Sequence, residues 1–187
     1  MRDIKRKNVT LIGMPSAGKS TVGVLLAKRL GYQFIDVDLV IQEKTGKLLK
    51  EIIEEKGLDG FLAVENEINA GIRADNAVIC PGGSVIYGRE AMENLQELGI
   101  VIFLKISLPE LERRIGDVKD RGVALKNGMT LADLMEERRP YFEKYADYTI
   151  DEEGKSLGQV VDELRNYLES RGYSLRKKKD GHRPAGV

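Results

Sequence analysis

The distribution of apolar residues divides the chain into short and long segments that alternate. Short runs rich in Val and Ile are typical of buried strands, whereas apolar residues three and four positions apart are typical of helices. The predicted strands are Val9–Ile12, Gln33–Val37, Ala77–Cys80, Ile100–Ile106 and Tyr148–Ile150. The predicted helices are Ser20–Leu30, Leu39–Lys56 (broken near Gly46), Leu58–Ala74, Glu90–Leu98, Pro109–Ile115, Leu131–Tyr145 and Leu157–Ser170.

This alternation predicts an α/β fold with three layers, in which a five-stranded parallel sheet is covered by helices on both faces. A chain of 187 residues is long enough for one domain with a substantial core. We expect that domain to span residues 1–173. Residues 174–187 include the basic run Arg176–Lys179 together with Gly and Pro, and we expect them to form a disordered tail.

A glycine-rich loop connects the first predicted strand to the first predicted helix. It has the phosphate-loop spacing, in which two glycines are separated by four residues and followed by Lys and Ser or Thr. Backbone N–H groups of such a loop point at phosphate oxygens, the Lys reaches the β- and γ-phosphates, and the hydroxyl can bind Mg²⁺. The loop predicts a nucleoside triphosphate site formed by Gly13, Met14, Pro15, Ser16, Ala17, Gly18, Lys19, Ser20 and Thr21.

Composition narrows the possible partners. The chain has 30 Lys and Arg and 30 Asp and Glu, so its formal net charge is zero and favours neither nucleic acid nor a membrane surface. One cysteine, Cys80, and one histidine, His182, exclude an internal disulfide and a Cys/His metal cluster. No apolar run has the length of a membrane span. We therefore expect a cytoplasmic protein, and we expect it to be a monomer.

Several charged or flexible positions follow the predicted strands, where the ligand crevice of an α/β sheet lies. Asp36 and Asp38 end the second strand and are candidates for a metal ligand and a base, although an Asp at this position can also cap the next helix. Gly82 and Gly83 follow the third strand and allow close approach of a ligand to the backbone.

The second half of the chain contains a set of arginines that could hold phosphoryl groups. Arg121 lies in residues 116–128, a polar stretch without periodicity whose length is typical of a mobile lid over a triphosphate. The other members of the set are Arg113, Arg114, Arg138 and Arg139.

Taken together, these motifs resemble those of the shikimate kinase family, which belongs to the nucleoside-monophosphate-kinase-like P-loop proteins. The resemblance covers about residues 7–170. It is carried by Gly13–Gly23, Phe34–Asp38, Ile41–Ile52, Phe61…Glu65, Gly82–Val85, Arg113…Arg121 and Glu137–Asp147.

The resemblance implies a role for each matching residue. Lys19 would hold the phosphates, while Ser20 and Asp36 would hold Mg²⁺. Asp38 would act as the base for the acceptor hydroxyl. Arg114 would flank the adenine and Arg121 would close on the phosphates. The backbone of Gly82 and Gly83, and the side chain of Arg138, would bind the acceptor, with Arg138 on its carboxylate. The implied activity is ATP-dependent phosphorylation of a hydroxyl on a small carboxylic acid, with shikimate as the default.

The chain departs from the family pattern at Leu62, Pro81 and Gly122. Leu62 replaces an arginine that normally completes the carboxylate clamp, and such a charge-assisted bond contributes about 1.5–3 kcal/mol. The change also leaves Glu65 without its expected partner. Two alternatives therefore stay open: an amino-bearing acceptor such as homoserine, or a nucleotide- and metabolite-binding sensor without turnover. A GTPase-like switch is excluded because the chain has no Asn-Lys-x-Asp segment.

Overall fold

The structure is a computed structural model that describes residues 7–115 and 128–173. Arg121, all but the last residue of the predicted lid, and the predicted tail at 174–187 lie outside the described residues. The division of the chain into a domain, a lid and a tail therefore stays a prediction.

Five parallel strands form one sheet in the order β2-β3-β1-β4-β5. The strands are β1 (Asn8–Ile12), β2 (Gln33–Asp36), β3 (Ala77–Cys80), β4 (Gly99–Lys105) and β5 (Tyr148–Asp151). The helices are α1 (Lys19–Leu30), α2 (Val37–Thr45), α3 (Leu49–Ala70), α4 (Arg89–Leu98), α5 (Leu108–Ile115), α6 (Leu131–Tyr145) and α7 (Leu157–Ser170). A short 3₁₀ helix, Val85–Tyr87, precedes α4 and was not predicted.

Two apolar clusters pack against opposite faces of the sheet. Helices α1 and α7 cover one face, where Leu11 of β1 lies among fully buried side chains such as Leu26 and Leu164. Helices α2 to α6 cover the other face, where Ile12 of β1 lies in the cluster that contains Phe142. Successive residues of a strand point to opposite faces, so β1 contributes to both layers. The predicted three-layer α/β/α fold is confirmed.

Local features determine where the elements around α2 and α3 begin, end or bend. The predicted second strand ends one residue early because Asp36 caps α2, with its Oδ1 accepting from the N–H of Asp38 at 3.1 Å. The break near Gly46 is confirmed, since α2 ends at Thr45 and Gly46 adopts a left-handed conformation. The predicted helices that end at Lys56 and begin at Leu58 form one element, α3, with a kink between them, because Gly57 has a φ of 70° and a ψ of 179°. Helix α3 ends at Ala70, four residues before the predicted end at Ala74.

No helix within the two described ranges is long and apolar enough to cross a membrane.

Candidate active site

A cavity of about 630 Å³ opens at the carboxyl ends of the strands, where α/β sheets place their ligands. The loop after β1, the first turn of α2, and the loop after β3 form its walls, and α3, α5 and α6 contribute side chains. It is lined by the predicted site residues Pro15, Ser16, Ala17, Gly18, Lys19, Ser20, Thr21, Asp38, Gly82, Gly83, Arg114 and Arg138. The structure therefore brings together in one space residues that are up to about 120 positions apart in the sequence.

The loop after β1 is shaped to receive an anion. Gly13 has a φ of 153°, and a Cβ there would lie 2.8 Å from the carbonyl oxygen of Leu104, so no other residue fits without a shift. Helix α1 begins at Lys19 without a side-chain cap and without an acidic residue in its first turn. Its first N–H groups and the positive end of its dipole are therefore open to a bound phosphate.

The side chain of Lys19 folds back onto this loop. Its Nζ donates to the carbonyl oxygens of Gly13 at 3.0 Å and Met14 at 2.9 Å. These bonds explain how Gly13 and Met14 contribute to the site without lining the cavity. Burial lowers the pKa of Lys19, and the nearby carboxylate of Asp38 opposes that shift.

The predicted magnesium ligands are adjacent. Ser20 Oγ donates to Asp36 Oδ2 at 2.8 Å, so both oxygens lie at the start of α1 beside the phosphate loop. Among the described residues, no group of three or more His, Cys, Asp or Glu side chains could form a metal site by itself. One hydroxyl and one carboxylate fit Mg²⁺, which commonly takes few protein ligands and completes its shell with water and phosphate oxygens.

Asp38 lies in the first turn of α2 with its side chain toward the cavity. Burial raises the pKa of Asp38, the neighbouring charge of Asp36 adds to the rise, and Lys19 opposes it. Asp38 Oδ1 lies 3.3 Å from the position that a Cβ on Gly82 would occupy. Asp38 is thus a partly desolvated carboxylate at the wall where an acceptor would lie, as a general base requires.

Arg138, on α6, lines the same cavity. The residue is only 2% exposed, although it is charged. Its Nε donates to the hydroxyl of Tyr87 at 3.3 Å, and its guanidinium lies 5.4 Å from the centre of the Tyr87 ring. Its Nη1 is 3.1 Å from the position of a Cβ on Gly83, so a side chain there would crowd the guanidinium. The lack of a side chain at Gly83 therefore leaves space for the guanidinium beside the loop after β3.

Arg114, on α5, lies beside the phosphate loop and lines the cavity. Its Nε donates to Glu110 at 2.7 Å, and its Nη1 donates to Glu152 at 2.8 Å and to the carbonyl of Ala17 at 3.4 Å. Glu152 is a cavity residue that the sequence analysis missed. Its position directly after β5 was a usable signal, because parallel strands end at the same edge of the sheet.

Glu65, on α3, lies between Asp38 and the loop after β3. It is 1% exposed, and its Oε2 accepts from Ser84 Oγ at 2.6 Å. Leu62 packs against the apolar core and does not line the cavity. Arg73 does not take the place of the missing arginine, because it donates to two carbonyls at the end of α3 and to Asn94.

Cys80 lines the floor of the cavity, where its Sγ donates to the carbonyl oxygen of Lys19 at 3.3 Å. Burial raises the pKa of the Cys80 thiol, which keeps it in the unreactive protonated form. The predicted role of Arg121 stays a prediction, since that residue lies outside the described part of the chain.

Comparison with known proteins gives one consistent result. The family model described as "Shikimate kinase" matches residues 15–169. A shikimate kinase of Persephonella marina is 36% identical over 84% of this chain and 96% of its own length. The solved shikimate kinase of Acinetobacter baumannii in complex with shikimate has a TM-score of 0.80 at 28% identity, covering 90% of this chain and 96% of that one. The shikimate kinase of Aquifex aeolicus has a TM-score of 0.70 at 30% identity, covering 88% and 98%. The chain described here therefore belongs to the shikimate kinase family.

Proposed function

We propose that this protein transfers the γ-phosphoryl group of ATP to the 3-hydroxyl of shikimate. One observation carries the proposal: Lys19, Asp38 and Arg138 line the same cavity. They supply a phosphate-binding cation, a carboxylate base, and a cation for the acceptor's own carboxylate. The membership of the chain in a kinase family supports the same assignment.

In the proposed reaction the triphosphate lies along the loop after β1, with its phosphates on the N–H groups of α1 and near Lys19 Nζ. Ser20 and Asp36 would hold Mg²⁺, which when bound neutralises charge on the phosphate oxygens. The acceptor lies between Arg138, which binds its carboxylate, and Asp38. The acceptor oxygen attacks the γ-phosphorus as its proton passes to Asp38, the bond between the γ-phosphorus and the bridging oxygen breaks, and ADP leaves.

The positions of Arg114 and Glu152 are suited to the nucleotide. Arg114 bonds the carbonyl of Ala17 in the phosphate loop and is fixed from two sides by Glu110 and Glu152. Because these bonds already order the side chain, packing the adenine of the nucleotide against its guanidinium would cost little further conformational entropy. Cytoplasmic location and the monomeric state stay predictions alongside the proposal.

The experiment that tests the proposal is an assay of ADP formation with ATP, Mg²⁺ and a panel of acceptors: shikimate, homoserine, gluconate and none. Saturable turnover that depends on shikimate is the expected result. The Asp38→Asn variant serves as the control for contaminating kinase activity. ATP binding without turnover on any acceptor would favour the sensor.

Turnover on homoserine alone would instead support an amino-bearing acceptor. One observation favours this second candidate: Leu62 supplies no cation to the site, and Glu65 offers a carboxylate to it.

A further inference from the structure

Glu65 is a buried carboxyl group for which the proposed reaction has no use. Ser84 donates to its Oε2, but Oε1 is buried and has no hydrogen-bond partner among the described residues. Buried polar atoms of native proteins almost always have a partner. Because Glu65 also lines the cavity, the missing partner of Oε1 can come from a ligand.

The position of Oε1 identifies which ligand it would meet. A Cβ placed on Gly82 would lie 2.4 Å from Glu65 Oε1 and 3.3 Å from Asp38 Oδ1. The two carboxylate oxygens therefore approach the same glycine, and only the lack of a side chain at Gly82 allows Oε1 to come so close. Because Asp38 is the proposed base, a ligand group that bonds to Oε1 beside Gly82 would belong to the acceptor.

Charged side chains of both signs lie near Glu65 in the cavity. Asp38 approaches from α2 with a negative charge, while Lys19 of α1 and Arg138 of α6 carry positive charges. Ser84, after β3, donates one hydrogen bond, and no cationic side chain in the described part of the chain bonds to Glu65. Lys19 Nζ donates to loop carbonyls and Arg138 Nε donates to Tyr87, and neither cation bonds to Oε1, which is left buried without a partner among the residues that the structure describes.

We propose that Glu65, positioned by Ser84, determines acceptor specificity by accepting a hydrogen bond from a second donor group of the acceptor, next to the hydroxyl that is phosphorylated. The donor is a neighbouring hydroxyl or an ammonium group, which share the chemistry that a carboxylate oxygen recognises. The inference rests on the proposed function in taking the acceptor to lie between Asp38 and Arg138. The inference adds that Glu65 distinguishes between acceptors that all have a carboxylate and a reactive hydroxyl.

The test compares Glu65→Gln with Glu67→Gln, an exposed glutamate on the same helix. Acceptor binding is measured by calorimetry, and kcat and KM are measured for acceptor and for ATP. A hydrogen bond to a charged group predicts that Glu65→Gln weakens acceptor binding by about 10- to 150-fold. Ser84→Ala should weaken it in the same direction by less, while the KM for ATP stays within about twofold in both variants. A merely structural role would disturb ATP and acceptor together.

Experiments with different acceptor molecules show whether the hydrogen-bond donor is a hydroxyl or an ammonium group. If the donor is a hydroxyl, shikimate loses affinity in Glu65→Gln, and a shikimate analogue without the adjacent hydroxyl binds wild type and variant equally. If it is an ammonium, homoserine shows the loss and its uncharged N-acetyl derivative does not bind the wild type. Wild-type acceptor affinity in a folded Glu65→Gln variant would overturn the inference while leaving shikimate phosphorylation intact. Turnover on homoserine alone, with a KM that depends on Glu65, would overturn the shikimate assignment and support the inference. If neither acceptor bound to the wild type, both the shikimate assignment and the inference would be overturned.

Discussion

Replacing Glu65 by glutamine should stabilise the folded protein more at alkaline than at acidic pH. In the folded state the carboxyl group is 1% exposed and its pKa rises from 4.5 to about 7, chiefly because burial disfavours the charged form. The hydrogen bond from Ser84 and the charges of Arg138 and Lys19 oppose the rise, while Asp38 adds to it. Glutamine keeps the shape and an oxygen for Ser84 but carries no charge at any pH.

The size of the effect follows from the two pKa values. Each pKa unit corresponds to about 1.4 kcal/mol, so ionising Glu65 costs about 3 kcal/mol more in the folded protein than in the unfolded chain. Below about pH 4.5 the group is protonated in both states and costs nothing. Between pH 4.5 and 7 the unfolded chain loses its proton first, so stability falls as pH rises, and above pH 7 the whole cost is present.

The assay is urea unfolding followed by circular dichroism, with wild type and Glu65→Gln measured at pH 4.5 and pH 8. The free-energy difference between the two proteins should shift by about 3 kcal/mol in favour of the variant at pH 8, equivalent to about 6–12 °C in Tm. Any fixed cost of the new amide N–H₂ group is the same at both pH values and cancels. Glu67→Gln, on the exposed side of α3, should give no pH-dependent difference. An equal difference at both pH values for Glu65→Gln would refute the reasoning that the buried carboxyl ionises at a cost.

Four further results are expected. Lys19→Ala should reduce turnover by about two to three orders of magnitude, measured as ADP formation, with an unchanged unfolding transition. Asp38→Asn should reduce kcat by about 10²- to 10⁴-fold with little change in acceptor KM, and normal turnover would contradict its role as base. Arg138→Leu should raise acceptor KM by about 10- to 150-fold, whereas an effect confined to ATP would contradict a carboxylate-binding role. In the wild type, the KM for the acceptor should fall as pH rises through about 7, because the ionised Glu65 carboxylate is the stronger hydrogen-bond partner. A KM that does not change with pH, as expected for Glu65→Gln, would argue against that contact.

The parts of the site that sequence analysis could predict are the parts that local spacing determines. The glycines and Lys19 of the phosphate loop lie within a few residues of one another, so the sequence motif alone predicts the shape of the loop. Asp36 and Asp38 were recognisable for a similar reason: they lie at and just after the end of a strand, and the ends of parallel strands form the crevice. The alternation of strands and helices likewise predicted the three layers, because apolar periodicity reflects burial.

The environments of Glu65 and Arg114 depend on contacts between distant segments. Ser84 is 19 positions from Glu65, and Glu152 is 38 positions from Arg114. Such pairs form only once α3 and the strand ends have packed. The kink at Gly57 adds to the difficulty for Glu65, since the position of α3 over the cavity follows from tertiary packing that helical periodicity does not specify.

The substitution at Leu62 is therefore best understood together with Glu65. An arginine beside Glu65 would neutralise it, and the acceptor would then meet a cation at this wall. With Leu62 packed in the core, a Glu65 carboxylate oxygen has no partner there among residues 7–115 and 128–173, while Arg138 supplies a cation to the same cavity. Because a buried charge favours ligands of opposite polarity, the proposed contact of Glu65 would select acceptors that have a carboxylate for Arg138 and a hydrogen-bond donor for Glu65. The phosphate loop would contact the nucleotide and not the acceptor, so under this proposal acceptor specificity would depend on residues of α3 and α6.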